Sequence, residues 1–261
     1  EGGSGEQISN LRNPRRTLNA QRVQLDYVQE LNHGTAESLG DQQEIEGLIS
    51  SYELAFRMQS SVPELTDIAS EPESTFKLYG DESRKPGTLA NTMLLARRMV
   101  ERGVRFVQIY HNNWDMHANA AGRLPSQCRD LDQGAYGLIN DLKQRGMFDE
   151  TLIIWGGEFG RTPTVELPTK GANAGKINGR DHNHWGFTMW MAGGGVRGGQ
   201  IYGATEEFGF KAVEKPVHVH DLHATILRLL GFDHTQLTYR FAGRDYRLTD
   251  VHGNVIQDLI A

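Results

Sequence analysis

From Thr88 onward, helical and strand-like segments alternate along the chain, and this alternation constrains the fold more than any other feature. Apolar residues at helical spacing predict three helices, each closed by a glycine, at 89–100 before Gly103, 131–142 before Gly146 and 222–230 before Gly231. Apolar runs predict strands at 104–110, 151–155, 187–192 and 217–219. This order is typical of an α/β fold with a mostly parallel sheet flanked by helices.

The amino-terminal part has a different pattern. Residues 15–61 are predicted to be helical, because apolar residues recur on one helix face at Ile45, Leu48, Ile49, Tyr52 and Phe56. Asp41 and Glu44 resemble a capping box, and Pro63 is predicted to end the helix. We therefore expect a helical segment with a polar connector (1–86) and an α/β core (87–261), together forming one structural unit.

Two local features are predicted near the carboxyl end. Asp221 is expected to be the N-cap of the last core helix. A hairpin or a small pair of strands is expected within 246–256, around 250–253.

Composition excludes several classes of protein. The 261 residues carry a formal net charge of −6, so nucleic acid is not an expected partner. No apolar run is long enough to cross a membrane. The single cysteine excludes an intramolecular disulfide.

A carboxylate and an imidazole follow the strand predicted at 104–110. Asp115 and His117 lie two residues apart in a loop, where both can reach one divalent cation. Zinc, manganese or calcium would accept the carboxylate, and the imidazole favours zinc or another transition metal. The alternative is that Asp115 caps a turn and His117 is simply exposed.

A second pair of charged residues follows the strand predicted at 151–155. Glu158 comes after a Gly-Gly step, and Arg161 lies three residues further on, where it is suited to bind a phosphate or sulfate. The alternative is a surface ion pair between Glu158 and Arg161, which contributes at most about 1 kcal/mol.

A third group, Asp181, His182 and His184, precedes the strand predicted at 187–192. The two histidines stand at alternate positions where the chain enters that strand, and His182 lies in the loop directly beside Asp181. We favour His182 as the metal ligand and keep His184 as the second choice. His111 is a further candidate for the same pocket, whereas 218–223 holds histidines for which we expect a structural role.

These motifs together resemble a known family. The runs 114–117 (Trp-Asp-Met-His), 155–163 (Trp-Gly-Gly-Glu-Phe-Gly-Arg-Thr-Pro) and 179–182 (Gly-Arg-Asp-His) look like the DUF1501 family. So do 220–225 and 230–234, and the resemblance spans the chain from about residue 10 to its end. This family is similar to the alkaline phosphatase and sulfatase superfamily, and the resemblance implies a fold of that kind.

The resemblance also implies roles for single residues. Asp115 and His117 take the place of ligands to one metal, and His182 is the counterpart of the histidine that completes that site. Glu158 and Phe159 take the place of the pair that binds a second metal, but Phe159 has no ligand atom. Superfamily members carry their nucleophile in an amino-terminal segment that has no counterpart before residue 104. The resemblance therefore implies the carboxyl-terminal portion of a family member, and it suggests export.

The function predicted from these residues is metal-dependent hydrolysis of phosphate or sulfate esters. A small anionic ester or a sulfated carbohydrate would be the substrate. Asp115, His117 and His182 would hold the metal, Glu158 would bind a second ion or act as general base, and Arg161 would stabilise the developing anion. One alternative is a non-catalytic protein, or a fragment without its nucleophile, that binds a metal or a sulfated glycan. Another is a scaffold that binds a partner through 15–61.

Overall fold

A computed structural model describes residues 13, 15–39, 43–168 and 178–261. The amino-terminal part is helical, as predicted, with α1 at Leu18–Leu39 and α2 at Gln43–Thr66. Pro63 does not end α2, because its carbonyl still accepts a hydrogen bond from the amide of Asp67. The capping box predicted at Asp41 and Glu44 lies outside the described backbone and side chains.

The core is built from three helices, α3 at Glu73–Tyr79, α4 at Leu89–Glu101 and α5 at Ala120–Gln144. The helices predicted before Gly103 and Gly146 are confirmed as α4 and α5, and both glycines have positive φ. Phe76, Tyr79, Met93 and Leu94 form the buried apolar cluster between the three helices.

The segment expected to be a polar connector, 62–86, contains α3 and buried side chains. Tyr79 is fully buried against α5, where Gly137 makes room for it. A Cβ at Gly137 would lie 2.8 Å from the Cα of Tyr79, so the two helices approach each other only because this residue is glycine.

A network of buried charges joins α4 and α5 to the chain just before α3. Arg97 contacts the carboxylates of Glu71 and Asp141 at 2.6 and 2.7 Å, and Arg98 pairs with the other oxygen of Glu71. The hydroxyl of Tyr79 donates to Asp141 at 3.1 Å. Buried charges need such pairing, because an uncompensated one costs several kcal/mol.

The predicted mostly parallel sheet is wrong, because all the strand pairs of the described residues are antiparallel and two-stranded. Their strands are β1 Ile153–Trp155 with β4 Trp190–Ala192, β2 Gly160–Arg161 with β3 His182–Asn183, β5 Ala204–Thr205 with β6 Ala212–Glu214, and β7 Thr238–Phe241 with β8 Arg244–Arg247. Parallel neighbours need a crossover, usually a helix. The described part of 156–189 contains the β2–β3 pair and no helix, and the chain returns antiparallel.

The predicted strands account for part of this error. The runs at 151–155 and 187–192 contain β1 and β4, but 104–110 has no regular secondary structure and pairs with no described strand. The run at 217–219 leads into helix α6 at Val219–Leu229. Two of the four strands predicted for the α/β sheet, at 104–110 and 217–219, are therefore not strands of any described sheet.

Two local predictions near the carboxyl end need correction. The N-cap of α6 is His218, and Asp221 is the third helical residue, whose carboxylate accepts from the amide of His218 at 3.2 Å. The hairpin lies at β7–β8, before the predicted 246–256, because Ala242 and Gly243 both adopt the positive φ of a two-residue turn. In the described part of the chain, no helix is long and apolar enough to cross a membrane.

Candidate functional site

Short backbone pairings join β2 to the segment that contains β3. Arg161 lies opposite His182 in the register, and the amide of Thr162 donates to the carbonyl of Asp181 at 2.8 Å. The amide of Glu166 donates to the carbonyl of Gly179 at 3.0 Å. These bonds place the side chains of 158–166 beside those of 179–183.

A third segment, 115–118, lies against Gly179. The amide of Arg180 donates to the carbonyl of Met116 at 3.0 Å. A Cβ at Gly179 would lie 1.8 Å from the carbonyl oxygen of His117, so the two backbones touch in a way that only glycine allows. The site is thus assembled from three segments that are distant in sequence.

Asp115, His117 and His182 converge where the three segments meet. Oδ1 of Asp115 lies 3.0 Å from Nε2 of His117 and 3.0 Å from Nε2 of His182. The two Nε2 atoms lie 3.2 Å apart. The structure therefore brings together three of the predicted metal ligands.

These separations suit a divalent transition metal. Ligand atoms at about 2.0–2.1 Å from a tetrahedral zinc ion lie about 3.3 Å from one another. The three atoms of Asp115, His117 and His182 show separations of 3.0, 3.0 and 3.2 Å. Their lone pairs repel one another unless a proton or a cation lies between them. One carboxylate and two imidazoles favour zinc over calcium, which prefers an all-oxygen set.

Glu166 holds His117 from the side opposite to the ligand cluster. Its Oε2 lies 2.8 Å from Nδ1 of His117, and a carboxylate only accepts, so Nδ1 carries the proton. In the neutral ring, Nε2 then presents a lone pair toward Asp115 and His182. The hydrogen bond to Glu166, aided by the negative charge of Asp115, raises the pKa of His117. A carboxylate behind a ligating histidine is a common feature of zinc sites.

Arg161 lies beside the cluster. Its Nη1 is 2.7 Å from Oδ1 of Asp115, and its Nη2 is 3.4 Å from Oε1 of Glu158. Partial burial opposes ionisation of Asp115, but the hydrogen bond from His182 and the charges of Arg161 and His117 outweigh it and lower its pKa. The carboxylate of Asp115 is therefore in the charged form that binds a cation.

The structure does not bring Glu158 into the cluster. Its carboxylate is exposed and contacts Arg161, as in the surface ion pair considered above. The ring of the next residue, Phe159, lies 4.4 Å from that of His182, measured between centroids. Phe159 therefore supports the orientation of a ligand candidate.

The other histidine candidates lie outside the cluster. His184 contacts the ring of Trp185 at 4.5 Å between centroids. Nδ1 of His111 accepts a hydrogen bond from the indole of Trp114 at 3.0 Å. Among the described residues, the groups with three ligand atoms within 4.8 Å of one another include neither histidine.

Glu166 is a residue of the site that the sequence did not indicate. Together with His117 and Asp181 it forms a second group of three ligand atoms within 4.8 Å. Its only signal in the sequence is that it stands as a single charge between Val165 and Leu167. Nothing in that pattern indicates that Glu166 meets a histidine 49 positions earlier.

Comparison with known proteins gives one match. No curated protein and no solved structure matches the chain. A family model described as "Protein of unknown function (DUF1501)" matches residues 2–260, which is nearly the whole chain. The chain that presents this cluster of Asp115, His117 and His182 therefore belongs to the DUF1501 family.

Proposed function

We propose that this protein is a metal-dependent hydrolase of phosphate or sulfate esters. The observation that carries the proposal is the convergence of Asp115, His117 and His182, whose ligand atoms are 3.0–3.2 Å apart. These three residues would hold the ion, and zinc suits them best, with manganese and calcium as weaker candidates. A divalent ion bound there supplies Lewis acidity to the ester that is cleaved.

Arg161 supports the choice of an anionic substrate. Its guanidinium group lies 2.7 Å from Asp115, at the edge of the ligand cluster. Arginine binds phosphate and sulfate oxygens through paired N–H donors, so Arg161 would orient the ester and stabilise charge that develops on it. The side chains of Asp115 and His182 are about half exposed, which leaves the site open to a small anionic ester or a sulfated carbohydrate.

Glu158 is the candidate general base. Its carboxylate is exposed and contacts Arg161, so it lies beside the cluster without being part of it. From this position it would accept the proton of a water molecule that attacks an ester held by Arg161.

The second candidate is a non-catalytic protein that binds a metal ion and a sulfated glycan. Phe159 favours it, because a ring packed on His182 stands where the resemblance implies a ligand to a second metal. A single ion beside Arg161 would still attract a sulfate group.

Metal content distinguishes both candidate functions from a protein that has no metal site. We expect roughly one equivalent of bound zinc in the purified chain by elemental mass spectrometry, and little in His117→Ala. His184→Ala is the matched control, since it removes an imidazole that lies outside the cluster. No metal in the wild-type chain after incubation with zinc, or equal loss in both variants, would refute the site.

Turnover separates the two candidate functions. A hydrolase should cleave an aryl phosphate or aryl sulfate at a rate that falls on chelation and in His117→Ala. Arg161→Gln should weaken catalysis while retaining the metal. A glycan-binding protein should keep metal and retain a sulfated oligosaccharide without turnover.

A further inference from the structure

The side of α1 that points away from α2 carries an exposed apolar ridge. Val23, Tyr27 and Leu31 are 68%, 64% and 56% exposed, and their spacing of four residues aligns them on one side of the helix. The opposite side of α1 packs against α2, where Gln29 and Ala36 are buried. α2 therefore covers one side of α1 and leaves the apolar ridge exposed.

We propose that a second copy of this chain covers the ridge, with the two α1 helices antiparallel about a two-fold axis at Tyr27. This surface lies on a different helix from the metal ligands, and the proposal is independent of the proposed function. The partner of the amino-terminal helices would thus be a second copy of the same chain.

The first argument is the symmetry of the ridge. Val23 and Leu31 each lie four residues from Tyr27, and Ala20 and Gly34 each lie seven residues from it. Seven residues make about two turns, so all five lie on one side of the helix. A two-fold axis at Tyr27 places Val23 at the level of Leu31 of the second copy, and Ala20 at the level of Gly34. Such self-complementarity is what a two-fold interface requires.

The space beside the ridge is suited to close packing. A Cβ at Gly34 would meet nothing within 4 Å, so the surface there is open to another backbone. The side chain opposite Gly34 would be that of Ala20, which is also small and exposed. Large residues thus occupy the centre of the proposed contact and small ones its ends.

The charges at the two ends of α1 are complementary in the same arrangement. Arg15 and Arg16 precede the helix, and Glu37 lies in its last turn. All three are exposed. Antiparallel packing brings the basic end of one copy next to Glu37 of the other, whereas parallel packing would place like charges together.

The test is the molar mass of the full chain in solution, by light scattering after size-exclusion chromatography. We expect a molar mass of twice 29.2 kDa for the wild type. We expect the mass of a monomer for Tyr27→Glu, because this change places two carboxylates next to each other at the two-fold axis. Tyr239→Glu is the matched control, because Tyr239 is also 64% exposed but lies on β7, and it should remain dimeric. A monomeric wild type, or a dimer that Tyr27→Glu leaves intact, would overturn the proposal.

Crosslinking tests the geometry without a charge in the interface. In a Cys128→Ser background, Tyr27→Cys should give a covalent dimer with a short bis-maleimide, since only a residue on the axis meets its own copy. Ile201→Cys is the control, because Ile201 is 96% exposed but lies outside α1, and it should remain an uncrosslinked chain. Equal crosslinking of both variants would contradict the arrangement. A Tyr27→Cys protein that has the native circular dichroism spectrum but forms no crosslinked dimer would contradict it as well.

Discussion

Glu166 accepts a hydrogen bond of 2.8 Å from Nδ1 of His117, and the same ring presents Nε2 to Asp115 and His182. One side of the imidazole is thus held by a carboxylate and the other faces a group of ligand atoms. Because the proton is fixed on Nδ1, the neutral ring has a single ligand atom and a single direction in which to bind a metal.

Removing Glu166 should weaken metal binding without removing any ligand. Mutations behind ligating histidines typically cost about 10–100-fold in metal affinity. We expect a loss of this size in the zinc dissociation constant of Glu166→Ala, measured by competition with a chelating dye. Glu166→Gln should lose less, because its amide oxygen still accepts from Nδ1 of His117.

Glu207→Ala provides the matched control for Glu166, since Glu207 is an exposed glutamate outside the two ligand groups. Its zinc affinity should equal that of the wild type. Equal affinity in Glu166→Ala and Glu207→Ala would show that the carboxylate of Glu166 has no influence on the site.

Gly179→Ala should separate the segments that carry the ligands. The added methyl group would lie 1.8 Å from the carbonyl oxygen of His117, and backbone atoms cannot yield as a flexible side chain does. We expect bound metal to fall severalfold by elemental analysis. Gly198→Ala is the control, because a Cβ there meets nothing within 4 Å. Full metal content in Gly179→Ala would mean that this contact does not position His117.

Glu71 should make the stability of the helical core dependent on pH. Burial opposes its ionisation, but the hydrogen bonds from Arg97 and Arg98 outweigh burial and lower its pKa. A carboxyl group whose folded pKa is lowered stabilises the protein above its unfolded pKa, about 4.3, and this contribution is lost as pH falls through the folded value. Urea unfolding of the wild type should therefore show stability declining below about pH 4.3.

Glu71→Gln should remove most of that contribution. Breaking a buried ion pair from one side costs about 3–5 kcal/mol, and we expect a loss near 3 kcal/mol at pH 7, since Arg97 keeps Asp141 and Glu101. The difference between wild type and variant should shrink as the pH falls. The control is Glu73→Gln, which breaks an exposed pair with Arg84 and should change stability little. A pH-independent difference would assign the loss to packing.

The helices were predictable because their signals are local. The residues of 89–100 and 131–142 repeat at helical spacing, and Gly103 and Gly146 adopt the positive φ that ends each helix. The sheet was not predictable from the same kind of signal. An apolar run such as 104–110 favours extended backbone, but which strand it pairs with depends on contacts far along the chain.

The site was predictable in part for a similar reason. Asp115, His117 and His182 were identified because carboxylate and imidazole groups stand together in loops, and the structure brings all three together. His184 and Glu158 share that local signal but lie outside the cluster. β3 ends at Asn183, and the chain bends at His184, whose ring packs on Trp185. The carboxylate of Glu158 pairs with Arg161 instead. Glu166 was missed, since its contact with His117 depends on the backbone pairing of Glu166 with Gly179.

The distance in sequence between the ligands has one more consequence. His117 and His182 are 65 residues apart, and their rings meet only when the segments around Gly179 are folded together. An ion bound by both histidines would link the two ends of a long loop. It would stabilise the folded state by an amount that grows with the concentration of free ion. The melting temperature would then rise with zinc, so occupancy of the centre can be followed before any substrate is known.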